Sequence, residues 1–332
     1  MQKALVTGGG GFVGLAIVKK LTELGVETSV VGRHHYQEVE RLGASCLVGD
    51  IRNREFMVQS VAGHDTVFHV AAKAGVWGAR ESYFSINVRG TENVLAACLE
   101  NGVHCLVQTS TPSVIFDGND IQGGNEILPY SENPLCHYAE SKILAEKMVL
   151  SANSEKLKTA SIRPHLVWGP GDTQIIPRLL TRGRQGSLKI VGRGENLVDI
   201  SYIDNVAHAH ILAAENLATS GEAAGEAFFI SQGEPVVLWG WINDLFGKMG
   251  IPAVTKKVSF KAAYRAGRLL EKLYTILRVR NEPKMTRFLA EQLAKSHWFS
   301  INKAKTILSY SPLVSTEEGM ENLLRCLRGE KS

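Results

Sequence analysis

Residues 7–14 read Thr7-Gly8-Gly9-Gly10-Gly11-Phe12-Val13-Gly14. A β-type run, Ala4-Leu5-Val6, leads into them, and residues 12–24 carry apolar side chains at helical spacing. Gly8, Gly11 and Gly14 stand three apart at this strand-to-helix turn. Glycine permits the tight turn and lets backbone approach a pyrophosphate, which then sits at the positive end of the helix. A glycine-rich turn alone is a weak signal; within a βαβ unit of ~30 residues it is a dinucleotide fingerprint. Gly8, Gly11, Phe12, Val13 and Gly14 are therefore the first candidate cofactor contacts.

Working outward, strands are predicted over 4–6, 27–31, 46–48, 66–70 and 104–109, with helices over 12–24, 53–61 and 84–100. This alternation implies an α/β fold: a Rossmann-type, doubly wound parallel sheet with helices on both faces. It continues through a helix over 136–150 and a strand over 159–163, then breaks at Pro164, Gly169-Pro170-Gly171 and Pro177. A further helix over 204–216 and strand over 227–230 return to the sheet. The expected organisation is a dinucleotide-binding domain over 1–165, completed by 198–231. A smaller, mostly helical substrate region takes 166–197 and 232–332.

Composition narrows the class. With 44% hydrophobic residues in 332, the chain can bury a sizeable core. A formal net charge of +4 is too small to argue for a nucleic-acid partner. No run of 18 apolar residues predicts a spanning helix, and the N-terminus lacks a signal-peptide pattern. Cys46, Cys98, Cys105, Cys136 and Cys326 are odd in number and form no CxxC pair. No metal site is expected, and reduced thiols suit a cytoplasmic protein.

The second strand ends in Val30-Val31-Gly32-Arg33-His34-His35, with no carboxylate where NAD-binding sites hold the ribose 2′-hydroxyl. Arg33 can instead pair bidentately with a 2′-phosphate, which favours NADP over NAD. Asp50, after the third strand, is placed to receive the adenine amine; a plain turn aspartate is the alternative. Tyr138 and Lys142, in Tyr138-Ala139-Glu140-Ser141-Lys142, lie four apart on one helix face. An ammonium beside a phenol is expected to lower its pKa, suiting Tyr138 to general acid/base work. Thr109-Ser110-Thr111 supplies hydroxyls after the fifth strand. Thr111 is the chosen partner for a substrate oxygen, with Ser110 in reserve.

Thr7-Gly8-x-x-Gly11-x-x-Gly14, Gly49-Asp50, Thr109-Ser110-Thr111, Tyr138-x-x-x-Lys142, Arg163-Pro164 with Trp168-Gly169-Pro170, and Tyr202-Ile203-Asp204-Asn205-Val206 together resemble the extended short-chain dehydrogenases. The resemblance covers nearly the whole chain. It implies that Tyr138 is the acid/base, that Lys142 orients the nicotinamide ribose, and that Thr111 replaces the usual serine. It also implies cofactor contacts at Asp50, Ile51, Ala71, Ala72, Lys73, Asn87 and Pro164. For Asn87 a helix-capping role is the alternative.

Val67-Phe68-His69-Val70-Ala71-Ala72-Lys73 and Gly75-Val76-Trp77-Gly78 resemble the 3β-hydroxysteroid dehydrogenase branch. More narrowly, residues 107–114, 230–235 and 286–293 resemble the bacterial 2-alkyl-3-oxoalkanoate reductases. That likeness implies NADPH, a long-chain β-keto acid substrate, and condensing and β-lactone-forming partner enzymes of long-chain olefin synthesis. A steroid or sterol 3β-dehydrogenase is the rival; a non-catalytic dinucleotide-sensing module is the rival from another class. A homo-oligomer is expected.

Residues 259–280 place Lys261, Arg265, Arg268, Lys272, Arg278 and Arg280 among apolar residues at helical spacing. This amphipathic helix packs one face on the core, lids an acyl substrate, or touches a membrane or partner.

Overall fold

The computed structural model describes residues 1–279 and 281–330, so Arg280 lies outside the described residues. Seven parallel strands form the central sheet: β1 (Lys3–Thr7), β2 (Glu27–Gly32), β3 (Ser45–Val48), β4 (Thr66–His69), β5 (Cys105–Thr109), β6 (Lys158–Pro164) and β7 (Glu226–Ile230). Their spatial order is β3-β2-β1-β4-β5-β6-β7. The order reverses direction beside β1, so the strand ends flanking β1 open the crevice where doubly wound folds bind ligands.

Alternation along the strands supplies a core on each face of the sheet. Ala4, Val6, Phe68 and Val107 join one buried cluster, and Leu5, Val67 and Leu106 join the other. On the first face, α1 (Phe12–Glu23) buries Ile17, Val18 and Leu21. On the second, α2 (Arg54–Val61) buries Met57 and Val61, and α3 (Gly90–Glu100) buries Val94 and Cys98. Helix α4 (His137–Ser151) adds Val149 to the second face, whereas α5 (Ile203–Ala218) packs on the first, beside α1.

The helix predicted from residue 84 in fact begins at Arg80 and passes through a π turn over Phe84–Arg89 before α3. Helical periodicity in sequence does not separate a π turn from an α turn, because one inserted residue barely shifts the apolar stripe.

The remaining chain is built on a third buried cluster that includes Trp168, Trp239, Leu245, Phe246 and Leu323. It contains helices, as expected, including α6 (Phe260–Ile276) and α7 (Arg287–Ala294). It also contains strand pairs that the sequence did not suggest. Val236–Val237, Leu197–Val198, His297–Phe299 and Ile121–Gly124 form a second sheet. Strands of two to four residues are too short to show a period-two pattern. All five cysteines are free thiols, and among the described residues no group of three His, Cys, Asp or Glu side chains is placed to hold a metal ion. No described helix is long and apolar enough to cross a membrane.

Candidate active site

The glycine loop is shaped by backbone proximity. Gly8 has φ +72°, and a Cβ there would lie 2.8 Å from the Ala71 Cα. A Cβ on Gly14 would lie 2.2 Å from the Gly8 carbonyl oxygen. Helix α1 opens at Gly11 with no side-chain cap and no acidic residue in its first turn. The amides of Phe12, Val13 and Gly14 thus stand at an uncapped, positively polarised helix end. A pyrophosphate fits this cradle, and the glycines keep it open.

A buried relay holds the loop in register with its neighbours. Amides of Val70 and Ala71 donate to the Thr7 hydroxyl, each at 3.2 Å, and that hydroxyl meets His69 Nδ1 at 2.8 Å. His69 Nε2 lies 2.9 Å from the Thr91 hydroxyl, which donates to the Asn87 carbonyl at 2.6 Å. Since Thr91 gives its proton to Asn87, the geometry assigns the His69 proton to Nε2. Burial pushes the His69 pKa down to about 3, keeping the ring neutral in this role.

Asn87 is buried in the π turn. Its amide nitrogen donates to Ser141 Oγ at 2.9 Å and to the Lys73 carbonyl at 3.1 Å, while its oxygen accepts from Lys73 N at 2.7 Å. Asn87 therefore ties the segment after β4 to α4, rather than capping a helix. Thr7, His69 and Thr91 were missed in the sequence, because nothing local marks three residues at separations of 62 and 22 as one chain of hydrogen bonds.

At the end of β2, Arg33 is exposed and has no ion-pair partner among the described residues. His35 pairs with Glu40 at 3.2 Å. Asp50 is held by Arg52 through two side-chain contacts of 3.0 and 2.7 Å, and this pairing lowers the pKa of its carboxyl. Ile51 is buried against Gly90. Tyr36, absent from the candidates above, lays its ring so close that a Cβ on Gly10 or Gly32 would meet it at 2.3 or 2.4 Å.

The hydroxyls after β5 go three ways. Thr109 meets His210 Nε2 at 2.7 Å, Thr111 reaches the Tyr138 phenol, and the buried Ser110 Oγ has no partner among the described residues. Thr111 also caps the 3₁₀ turn that follows, accepting from Ser113 N at 3.2 Å. Of the two hydroxyls offered for a substrate oxygen, Thr111 is the one placed beside Tyr138.

The tyrosine pKa is a correction. Instead of being lowered by Lys142, it is pushed up to about 12, because burial outweighs the Thr111 hydrogen bond. The Lys142 ammonium donates to the Thr109 carbonyl at 2.7 Å, and burial lowers its own pKa to about 8. Four-residue spacing put both side chains on one face, but burial disfavours phenolate and ammonium alike. One turn further, Glu146 anchors α4 to β6 through a buried pair with Arg163 (2.5 and 3.0 Å), and Tyr130 donates to it at 2.8 Å. Pro164, the last residue of β6, is buried and registers with Ile230.

A cleft of about 1280 Å³ opens beside the start of α4, where Cys136, His137 and Glu140 line it; Tyr138, Thr111 and Lys142 are not among its lining residues. Cys136 and Phe288 line it and belong to the apolar cluster on which Tyr138 packs. Lys73 and Trp77 form one wall, and Arg268, Lys272 and Tyr274 of α6 form the other. Trp77 bridges the walls, with its indole edge-on to Tyr274 and its Nε1 donating to the Val279 carbonyl at 3.2 Å.

Residues 5–261 match the sequence model of the 3-beta hydroxysteroid dehydrogenase/isomerase family. Over 324 residues the chain is 48% identical to the 2-alkyl-3-oxoalkanoate reductase of Stenotrophomonas maltophilia, covering 97% of this chain and 98% of that one. It is 35% identical to the sterol-4-alpha-carboxylate 3-dehydrogenase, decarboxylating, of Mus musculus, covering 98% and 90%. Among solved structures, a UDP-glucose 4-epimerase from Thermotoga maritima superposes with a TM-score of 0.75 at 24% identity, covering 99% of each chain. At that identity the likeness is one of fold.

Proposed function

The chain belongs to the 3-beta hydroxysteroid dehydrogenase/isomerase family, and from that premise we propose that it reduces 2-alkyl-3-oxoalkanoic acids to 2-alkyl-3-hydroxyalkanoic acids with NADPH. It is an oxidoreductase of the NAD(P)-dependent, extended short-chain type. The observation that carries the reading is a half-buried Tyr138, with the Thr111 hydroxyl beside it, packed on the apolar cluster of Cys136 and Phe288, which line a cleft with basic and apolar walls. The 48% identity to a 2-alkyl-3-oxoalkanoate reductase, against 35% to the sterol enzyme, selects the keto acid over the sterol.

A nicotinamide cofactor, when bound, supplies hydride to the C3 carbonyl carbon. Gly8, Gly11, Phe12, Val13 and Gly14 hold its pyrophosphate, and Arg33 pairs with a 2′-phosphate. Asp50, Ile51, Ala71, Ala72, Lys73, Asn87 and Pro164 line the remainder. Tyr138 donates its phenolic proton to the carbonyl oxygen. With its pKa raised to about 12, the group stays protonated at neutral pH, as an acid for reduction must. Thr111 holds the same oxygen, stabilising charge as it develops in the transition state. Lys142, close to its titration range at about 8, orients the ribose. Arg268 and Lys272 on the cleft wall attract the substrate carboxylate. The product, a β-hydroxy acid, is chemically suited to a β-lactone-forming enzyme, and the substrate to supply by a condensing enzyme.

The test is a series of kcat/KM values over chain length, beside a 3β-hydroxysteroid with NADP. Each buried methylene contributes up to ~0.8 kcal/mol until the cleft is full. Values should rise steeply from short unbranched keto acids to long 2-alkylated ones and then level off. A flat series, or a steroid outperforming every keto acid, would move the assignment to the steroid dehydrogenases.

A further inference from the structure

We infer that Lys73 anchors the carboxylate of the substrate, and is thereby the residue that separates a β-keto acid from a neutral ketone. Lys73 in this role deepens the keto-acid reading, on which the substrate class rests. Both carboxylates that line the cleft are already taken: Glu140 pairs with Arg80 at 2.8 Å and Glu271 with Arg287 at 2.7 Å. Lys73, Arg268, Lys272 and Arg278 line it with no ion-pair partner among the described residues. Three of these are exposed, on α6 or just beyond its end. Lys73 is half-buried, on the opposite wall.

Its side chain is held in place without a ligand. The ammonium lies over the Tyr83 ring, 4.9 Å from the centroid. That ring is pinned in turn, its hydroxyl shared between the Gly75 and Trp77 carbonyls at 2.9 Å from each. A Cβ on Gly78 would lie 3.6 Å from Lys73 Cε, so the loop closes along the stem. The Lys73 backbone is clamped as well. Asn87 binds its amide and its carbonyl and donates to Ser141 Oγ, which donates to the Tyr138 carbonyl at 2.8 Å. Lys73 is therefore fixed relative to the helix that carries the acid. A lysine ordinarily loses rotamer freedom when it binds an anion, and much of that loss is already taken on folding.

The position suits a β-keto acid. Ala71 abuts Gly8 of the pyrophosphate cradle, and Lys73 is two residues further on, at most about 7 Å of extended chain. Lys73 thus stands where the cofactor groove meets the cleft. In a β-keto acid the carboxylate carbon lies two bonds from the carbonyl carbon that takes hydride, so both groups belong at that junction. A half-buried ammonium holds a carboxylate more firmly than an exposed one, because water screens it less. Arg268 and Lys272 draw the anion in; Lys73 holds it.

The test is calorimetric affinity of the full chain, saturated with oxidised cofactor, for 2-hexyldecanoic acid and for its primary amide. Both probes carry two alkyl chains and neither reacts, so the result does not depend on turnover. Wild type should bind the acid at least about tenfold more tightly than the amide. Lys73→Met, or Lys73→Gln should the first fold poorly, should remove that preference. Lys73→Arg should keep part of it, and Lys272→Met should lower it about threefold or less. In turnover, Lys73→Met should raise KM for the keto acid by a larger factor than it lowers kcat. Wild type that binds both probes alike overturns the inference, as does a neutral Lys73 variant that keeps the preference. So does a Lys73→Met variant that loses cofactor affinity by the same factor as acid affinity, which would put the ammonium on a cofactor phosphate. A chain that prefers the acid through Lys73 yet reduces no keto acid would uphold the anchor and overturn only the substrate assignment.

Discussion

Around the glycine loop, neighbouring segments meet backbone to backbone, whereas across the cleft mouth they meet through the ends of long side chains. A Cβ at Gly14 or Gly8 would fall within 3 Å of main-chain atoms, so that end of the molecule tolerates one geometry. At the mouth, Trp77 reaches Tyr274 edge-on and, among the described residues, a single indole hydrogen bond spans the walls. The first arrangement suits a ligand whose shape never varies. The second suits a ligand whose chains vary in length, because rotamers adjust where backbones cannot.

The sharpest way to probe the inner end is Tyr138→Phe. It keeps the ring in its apolar cluster and removes only the hydroxyl, so kcat should fall by roughly 10²–10⁴-fold. NADPH affinity, measured by titration, should stay within a few-fold. Wild-type turnover in this variant would take Tyr138 out of the chemistry.

Gly14→Ala probes backbone packing directly. With 2.2 Å to the Gly8 oxygen, the loop has to shift. Overpacking of this kind costs about 3 kcal/mol at the upper end, and cofactor affinity should drop with it. The same change at Gly247, where a Cβ meets nothing within 4 Å, is the control. Equal unfolding midpoints for the two variants would break the contrast drawn above.

Arg33→Ala tests the proposed 2′-phosphate contact, made by an exposed side chain free of backbone constraint. NADPH binding should weaken by roughly 1.5–3 kcal/mol, the range for a lost hydrogen bond to a charged group, with NADH nearly unaffected. Parent enzyme that binds both cofactors equally would end the 2′-phosphate assignment. A partial effect would direct attention to His34 beside it.

The smallest expected effect comes from Lys142. Burial lowers its pKa from 10.5 to about 8, so between those values the unfolded chain binds more protons than the native one. Its contribution to stability therefore rises as pH climbs through that window, and below about 8 the buried charge is borne in full. Urea unfolding of wild type and Lys142→Met should show their difference shifting toward wild type by on the order of 1–2 kcal/mol between pH 7 and pH 10. A difference independent of pH would mean that the ammonium is better solvated than its surroundings imply.

Most of the sheet was legible in the sequence because its signals are local. The seven observed strands include the seven runs read from apolar patterning, and the observed edges differ from the expected ones by about a residue. The places of Arg33, Thr111 and Tyr138 in the fold were legible for a related reason: each sits at a strand end or on a helix whose phase its neighbours reveal. The short strands over Ile121–Gly124 and His297–Phe299 were not, since their partners lie more than 170 residues apart and neither is long enough to alternate visibly. Tyr36 was missed because a lone aromatic in a loop carries no sign of the two glycines it covers.

By itself, then, the sequence determined the order of elements, the dinucleotide loop and the residue types that could move a proton. Those depend on spacing along one chain, which a helix or strand converts into a shared face by its own repeat. Tertiary structure alone decided the electrostatics and the partners. It decided that burial raises the Tyr138 pKa instead of its being lowered, and that Lys142 bonds to Thr109. It also decided that Thr7, His69, Thr91 and Asn87 form one relay, and that the leucines of α6 face outward. The reason is physical: desolvation and hydrogen bonding act on whatever lies within a few ångströms in space, and for these residues that neighbourhood is assembled from segments far apart in the chain.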